Sequence, residues 1–302
     1  MPDAATCWIC GSDAREAYLF DGEDLGEVSS ASVRITDSAY GRSAPLVRCS
    51  HCGFIYASPP PSDDVLSLYE DLEDPEYVAG ASYRIFQMRQ LLEQVCGPQR
   101  PGTLLDVGAG MGLLVEAAQE LGIEATGVEP SRYLAQQGRD RGLDVLEGIL
   151  PHPSLGGRQF DMVTCADVIE HVTDPVGLLR QLGTVTRPGG TIVVTTPDVE
   201  SVAARAMGSR WWHYRVAHVC FFPTSAMEEA VQRAGLRIVR RRRQTWWFGL
   251  PYLLARTVAL VGPRRIRDLR ARVEARLDRT PLTRVTVPVN LFDSWVYECT
   301  HA

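Results

Sequence analysis

Polar and apolar positions along this chain follow two different periods. From residue 103 onward, short apolar runs alternate with stretches of helical spacing. Residues 103–107 read as a buried strand, followed by a glycine-rich turn and a helix to Leu121. Further strands are expected at 125–128, 144–146, 160–165, 191–195, 237–241 and 294–299. Helices are expected from Ser131, over 175–185 and over 224–234. Strands alternating with helices across short links predict an α/β fold, a mostly parallel Rossmann-like sheet covered on both faces. Upstream, residues 62–97 read as helical. Ser62, Asp63 and Asp64 suit a cap, Val65, Leu68, Tyr69 and Leu72 fit a 3.6-residue period, and a second helix is expected over 83–95.

The first sixty residues differ. They carry two cysteine pairs, Cys7-Trp-Ile-Cys10 and Cys49-Ser-His-Cys52, each followed by glycine, and they end in Pro59-Pro60-Pro61, a stiff boundary. The expected organisation is a zinc-binding module over 1–60, a helical lid or linker over 61–100, and a core over 101–302. Within the core, residues of about 249–285 read as a helical insert. Its second half carries seven arginines around an apolar face of Ile266, Leu269, Val273 and Leu277, the pattern of a helix with a solvated basic face.

Composition narrows the function. The 302 residues are 45% hydrophobic and 23% charged, enough for a sizeable core and too apolar for a disordered chain. The net charge of −6 disfavours a protein built to grip nucleic-acid phosphates. No apolar run reaches the length of a membrane span; the nearest, 250–261, is interrupted by Arg256. The N-terminus shows no basic segment leading into an apolar one, so a cytoplasmic setting with reduced cysteines is expected. Every basic residue is arginine, so lysine chemistry is excluded.

Three constellations carry chemistry. The first is Leu104-Leu-Asp-Val-Gly-Ala-Gly-Met-Gly112, a strand, a glycine turn and a helix start, with the acid Glu129 closing the next strand. Glycines there let the backbone turn tightly and approach a ligand, and the acid can accept both ribose hydroxyls. Together they indicate a nucleoside-containing cofactor. The spacing G-x-G-x-G after Asp106 suits a cationic cofactor better than a dinucleotide. The stretch resembles the first motif of class I S-adenosylmethionine-dependent methyltransferases. Gly127-Val-Glu129-Pro130-Ser131 resembles their second, and the segments 160–175 and 187–197 resemble their fourth-strand and fifth-strand motifs. The resemblance covers about residues 62–302. It implies a seven-stranded sheet whose last strand is antiparallel. It also implies S-adenosylmethionine (SAM) as cofactor, leaving S-adenosylhomocysteine. Asp106, Gly108, Ala109 and Gly110 would lie at the methionine end and Glu129 with Pro130 at the ribose. Gly148 and Ile149 would flank adenine, and Ala166 and Asp167 would line the pocket.

The second constellation is the cysteines. Four thiolates from Cys7, Cys10, Cys49 and Cys52 would close a tetrahedron around structural Zn²⁺; a redox dithiol is the alternative reading. The stretch from Arg48 to Ser62 resembles the N-terminal segment of bacterial sugar and natural-product methyltransferases, the nucleotide-sugar C-methyltransferases among them, and implies an acceptor from antibiotic or other natural-product biosynthesis.

The third is Glu170-His171 just past the fourth strand, with the loop Arg210-Trp-Trp-His213-Tyr214-Arg-Val-Ala-His218. Methyl transfer needs an oriented acceptor and removal of its proton, and a histidine titrating near neutrality is the natural base. The resemblance points to His171 with Glu170. His213, Tyr214 and His218 are candidates for acceptor contact or a second base, and Trp211 and Trp212 for an apolar wall. Tyr77 and Tyr83 are candidates for a lid. The expected partner is a small-molecule acceptor. An RNA base methyltransferase and a non-catalytic SAM-binding protein are the alternatives.

Overall fold

The computed structural model describes residues 6–19, 29–36, 41–61, 65–97, 99–249 and 286–302. The N-terminal part contains β1 (Arg15–Tyr18), β2 (Leu46–Cys49) and β3 (Ile55–Ala57). Three helices follow, α1 (Val65–Glu70), α2 (Pro75–Ala79) and α3 (Ala81–Cys96). The core then alternates: β4 (Thr103–Val107), α4 (Leu113–Glu120), β5 (Glu124–Glu129), α5 (Arg132–Asp140), β6 (Val145–Glu147), β7 (Phe160–Ala166), α6 (Pro175–Val185) and β8 (Thr186–Pro197). It continues through α7 (Val202–Met207), β9 (Cys220–Phe221), α8 (Thr224–Arg233) and β10 (Leu236–Arg243), then β11 (Trp246–Gly249), β12 (Thr286–Val289) and β13 (Ser294–His301).

Seven strands form the main sheet in the order β10-β13-β8-β7-β4-β5-β6. From β6 across to β8 the pairings are parallel, while β13 runs antiparallel between β8 and β10. This is the expected sheet. Strand order reverses between β4 and β7, so a crevice opens beyond their carboxyl ends, where ligands bind such sheets.

Local chemistry explains the helix starts. The Ser131 hydroxyl accepts from the Leu134 amide at 3.0 Å and starts α5. Asp174 accepts from the Gly177 amide at 2.8 Å, with Pro175 at the first position of α6. Asp74 caps α2 in the same way, through the Tyr77 amide at 3.0 Å. That short helix is absent from the periodicity, although the Asp-Pro signal for it stands in the sequence. The expected cap at 62–64 lies outside the described residues. β8 is longer than expected because Arg187–Gly190 continue its backbone, the irregularity being absorbed between Phe160 and Met162 of β7.

The N-terminal strands form a second sheet, β1-β2-β3-β9. Its last strand comes from the loop after β8: Tyr56 pairs with Cys220 and Ile55 with Phe221. One buried cluster joins the two sheets, containing Trp8, Phe54 and Tyr56 together with Phe222, Leu179 and Val194. A second fills the opposite face, where Leu92 of α3 and Val115 of α4 pack on Leu104 and Val193. Each such side chain contributes about 1.5–3 kcal/mol on full burial.

The chain divides into two compact units, residues 1–244 with 292–302, and residues 245–291. In the second unit β11 and β12 pair antiparallel, from Trp246 with Val289 to Gly249 with Thr286. The sequence pattern did not mark this ladder. The expected helical insert lies outside the described residues beyond Gly249. Among the described residues no helix is long and apolar enough to cross a membrane.

Candidate active site

The glycine turn after β4 is bent as its composition requires. Gly108 and Gly110 have φ of +77° and +56°, a region that side chains disfavour. A methyl group on Gly108 would also lie 2.4 Å from a Val168 methyl, and one on Gly110 would lie 2.9 Å from the Tyr77 hydroxyl. Tyr77 of α2 thus lies over the turn. Ala109 is buried, and its amide and that of Gly108 donate to the Val128 carbonyl at 3.1 and 2.9 Å.

Two acids end the neighbouring strands. Glu129 accepts from the Gly110 amide at 2.7 Å and from the Ser131 amide at 2.8 Å, one bond on each oxygen. Asp106 accepts from the Thr164 hydroxyl at 2.7 Å. Burial pushes both carboxyls up to about 7, against their backbone and hydroxyl partners. Two buried acids beside a tightly bent glycine turn call for a ligand that brings hydrogens and positive charge. An ammonium and ribose hydroxyls meet that need, so these residues fit SAM. Pro130 follows Glu129 and is half-buried. The Gly148 amide donates to the Glu129 carbonyl at 2.8 Å, which holds the loop after β6 beside the acid. Ile149 next to it is 48% exposed, an apolar surface free to be covered.

Across the crevice, Ala166 ends β7 and Asp167 adopts φ of +55°. The Asp167 amide donates to the Thr195 hydroxyl at 3.0 Å, and that hydroxyl donates to the Asp167 carboxylate at 2.8 Å. Burial pushes the Asp167 carboxyl up. A short turn, Ile169–His171, then presents the expected pair. Glu170 is 1% exposed; its Oε2 accepts from the Thr196 hydroxyl at 3.0 Å, and its Oε1 has no hydrogen-bond partner among the described residues. Burial raises its pKa well above the ordinary carboxyl value, and the Asp167 charge adds to this.

His171 does not titrate near neutrality as expected. Burial lowers it to about 4, outweighing the Ala217 carbonyl, which favours the proton. Its Nδ1 lies 2.8 Å from that carbonyl and 2.8 Å from the Tyr69 hydroxyl. A carbonyl only accepts, so Nδ1 carries the hydrogen and Nε2 keeps its lone pair. His218 stands edge-on to His171, with centroids 4.7 Å apart, and burial lowers its pKa well below the ordinary histidine value. Its Nδ1 has no partner among the described residues. His213 stacks on His218 at 6.0 Å and reaches Asp293 at 3.4 Å, and Trp212 donates to the same carboxylate at 2.8 Å.

The structure therefore brings Glu170, His171, His213 and His218 together and leaves Tyr214 elsewhere. Tyr214 is 1% exposed, packs on Trp211 and Phe221, and donates to the Tyr18 hydroxyl at 3.4 Å. Trp211, expected as an acceptor wall, is fully buried. Both turn inward because the loop carries β9 into the N-terminal sheet. Sequence reasoning missed two groups, Tyr69, read only as an apolar helix position, and Asp293, which carries no motif.

A sequence model of one family, described as a methyltransferase domain, matches residues 81–241, more than half of the chain. The chain belongs to the methyltransferase-domain family. It is similar to a ubiquinone biosynthesis O-methyltransferase of Aeromonas salmonicida, 33% identical over 100 residues, covering 31% of this chain and 42% of that one. A protein with the same description from Xanthomonas campestris is 36% identical over 104 residues, covering 32% and 44%. The chain spans about half the length of the curated relatives it matches. Among solved structures, a SAM-dependent methyltransferase from Archaeoglobus fulgidus aligns with 75% of this chain and 99% of its own, at 17% identity and a TM-score of 0.49.

Ahead of the residues matched to the methyltransferase domain, four cysteines form a separate cluster at the N-terminal sheet. Cys7 and Cys52 place their sulfurs 3.6 Å apart, Cys10 and Cys49 3.5 Å, and all four lie within 4.8 Å of one another. A Zn–S bond of about 2.3 Å in a tetrahedron separates sulfurs by about 3.8 Å, so the four fit zinc. The first negative charge is held readily: the bond from Cys52 brings Cys7 down to about 5, and the same bond with burial pushes Cys52 up. A further thiolate there needs a cation beside it. Of the remaining cysteines, Cys165, Cys220 and Cys299 are buried and Cys96 is half-buried.

Proposed function

We propose that this protein transfers the methyl group of SAM to a hydroxyl of a small-molecule acceptor, a sugar-containing or other natural-product intermediate. The observation that carries the reading is the pair of buried acids, Asp106 and Glu129, beside the bent glycine turn, with Glu129 bonded to the Gly110 amide at 2.7 Å. Membership of the methyltransferase-domain family supports it. The relatives named as O-methyltransferases support oxygen as the methylated atom.

SAM, when bound, supplies a methyl group on a sulfonium. Asp106 meets its methionine end, Glu129 its ribose, and Gly148 with Ile149 its adenine, while Ala166 and Asp167 line the opposite wall. The acceptor enters beside Glu170 and the three histidines. As its oxygen bonds the methyl carbon, the carbon–sulfur bond breaks and its electron pair stays on sulfur. The acceptor's proton leaves at the Glu170–His171 pair. When nothing else occupies the point where these side chains converge, Nε2 of His171 takes it, since the ring is neutral at pH 7 and Ala217 holds Nδ1–H away. Zinc held by the four cysteines is structural, since four thiolates leave no open position. It braces the sheet that β9 joins, and so the loop bearing His213 and His218.

The test is calorimetry with SAM, followed by incubation with nucleotide sugars, glycosylated metabolites and phenols, scoring S-adenosylhomocysteine by mass spectrometry. The reading expects cofactor binding and turnover with at least one hydroxylated class. Absence of SAM binding by the folded protein refutes it.

A further inference from the structure

Two buried side chains and a half-buried one on the acceptor side offer lone pairs within a few ångströms of one another. Glu170, His171 and His218 each place a donor atom within 4.8 Å of the others. Glu170 Oε1 and His218 Nδ1 have no hydrogen-bond partner among the described residues, and these residues are 1% and 6% exposed. Leaving a buried acceptor unbonded costs about 1–3 kcal/mol, so such atoms in a native structure ask for an occupant.

The surrounding bonds choose the occupant. His171 gives its Nδ1–H to the Ala217 carbonyl at 2.8 Å, which fixes the tautomer and leaves Nε2 as the nitrogen with a lone pair to give. The Thr196 hydroxyl holds Glu170 by its other oxygen at 3.0 Å. The Val219 amide donates to the Glu170 carbonyl at 2.9 Å and so ties the His218 segment to the Ile169–His171 turn. Metal-binding imidazoles and carboxylates are oriented by this kind of second bond. Both rings are held neutral by burial, as ligands must be.

We propose that Glu170, His171 and His218 bind a divalent first-row transition-metal cation, through one carboxylate and two imidazoles. Two imidazoles favour zinc, iron or copper over magnesium or calcium, and the carboxylate lets Mn²⁺ bind as well. Three protein ligands leave coordination positions open. What the cation does rests on the methyl-transfer reading: an acceptor oxygen bound there loses its proton more easily. In the loaded protein His171 is then a ligand, and the proton passes to water rather than onto its ring.

Manganese is the probe, because hard Mn²⁺ avoids the four-thiolate site. Zinc-loaded full-length protein is titrated with Mn²⁺ and followed by electron paramagnetic resonance. One bound Mn²⁺ per chain is expected, with affinity falling at least about tenfold in both Glu170→Gln and His218→Asn. Retained SAM affinity and thermal midpoint show that each variant is folded; the less disturbed of the two decides if the other is not. No saturable Mn²⁺ binding by the wild type, or equal binding by a folded variant, overturns the proposal. Full methyl transfer after a chelator has removed everything but the cysteine-bound zinc overturns the part given to the cation in proton loss. A bound cation with no methyl transfer to any acceptor keeps the site and refutes the methyl-transfer reading instead.

Discussion

Asp106→Asn separates the cost of a buried charge from its use. The Asp106 carboxyl is carried from 3.8 to about 7 chiefly by burial, only partly offset by the Thr164 hydroxyl. A raised carboxyl pKa stabilises the fold below the unfolded value and loses that contribution as pH rises toward the folded value. At about pH 5.5 the unfolded chain has already released this proton and the folded chain has not. Between about pH 5.5 and pH 7 the native state therefore gives up some 1.5 further units, roughly 2 kcal/mol at 1.36 kcal/mol per unit. Asparagine presents the same acceptor oxygen to Thr164 and carries no charge. Ligand-free Asp106→Asn is thus expected to gain stability over the wild type by roughly 2 kcal/mol more at pH 8.5 than at pH 5.5. Relief of Glu129, which feels the Asp106 charge, acts in the same direction. The assay is thermal unfolding of both proteins at the two pH values, with calorimetry for SAM. The variant should bind SAM more weakly, because the ligand no longer meets a carboxylate. An equal stability difference at both pH values refutes the reasoning.

Three further outcomes are expected. In protein stripped of any cation at Glu170, His171 and His218, His171→Gln should lower kcat by about 10²–10⁴-fold with SAM affinity kept, and the acid limb of the unsubstituted protein's kcat/KM profile should lie near pH 4, below the 6.5 of an ordinary histidine; steady-state assays across pH check both, and an acid limb near 6.5 contradicts the burial argument. Cys49→Ser should release zinc on metal analysis and lower the thermal midpoint, because the binding free energy of a structural metal is folding free energy. Tyr69→Phe removes the hydroxyl 2.8 Å from His171 Nδ1, and it should cost about 1 kcal/mol of stability and lower kcat while leaving SAM binding unchanged.

Much of the fold was legible from residue order alone, and so were the groups proposed for the cofactor, because the features that mark them are local. The period of two against 3.6 set the strands and helices of the main sheet. The turn from Gly108 to Gly112 needs glycine within a few residues of the acid that precedes it, and Glu129 ends the adjacent strand. The cysteine pairs were readable for the same reason, each being one knuckle of four residues. The acceptor side was less legible because its parts come from four distant stretches. Tyr69 meets His171 across 102 residues, and Trp212 meets Asp293 across 81; no spacing rule links such pairs. Only the insertion of β13 beside β8 brings Asp293 to Asp198, where the two backbones bond at 2.7 Å. Only the pairing of Cys220 and Phe221 with β3 turns Tyr214 and Trp211 into the core and leaves His218 beside Glu170, with His213 stacked on His218. Burial, which depends on every layer packed around a side chain, then moved His171 from an ordinary neutral-pH histidine to one that stays unprotonated to about 4. The sequence by itself determined which groups could bind a cofactor or carry a proton. The tertiary structure decided which of them meet and in what protonation state, because both depend on neighbours that are remote along the chain.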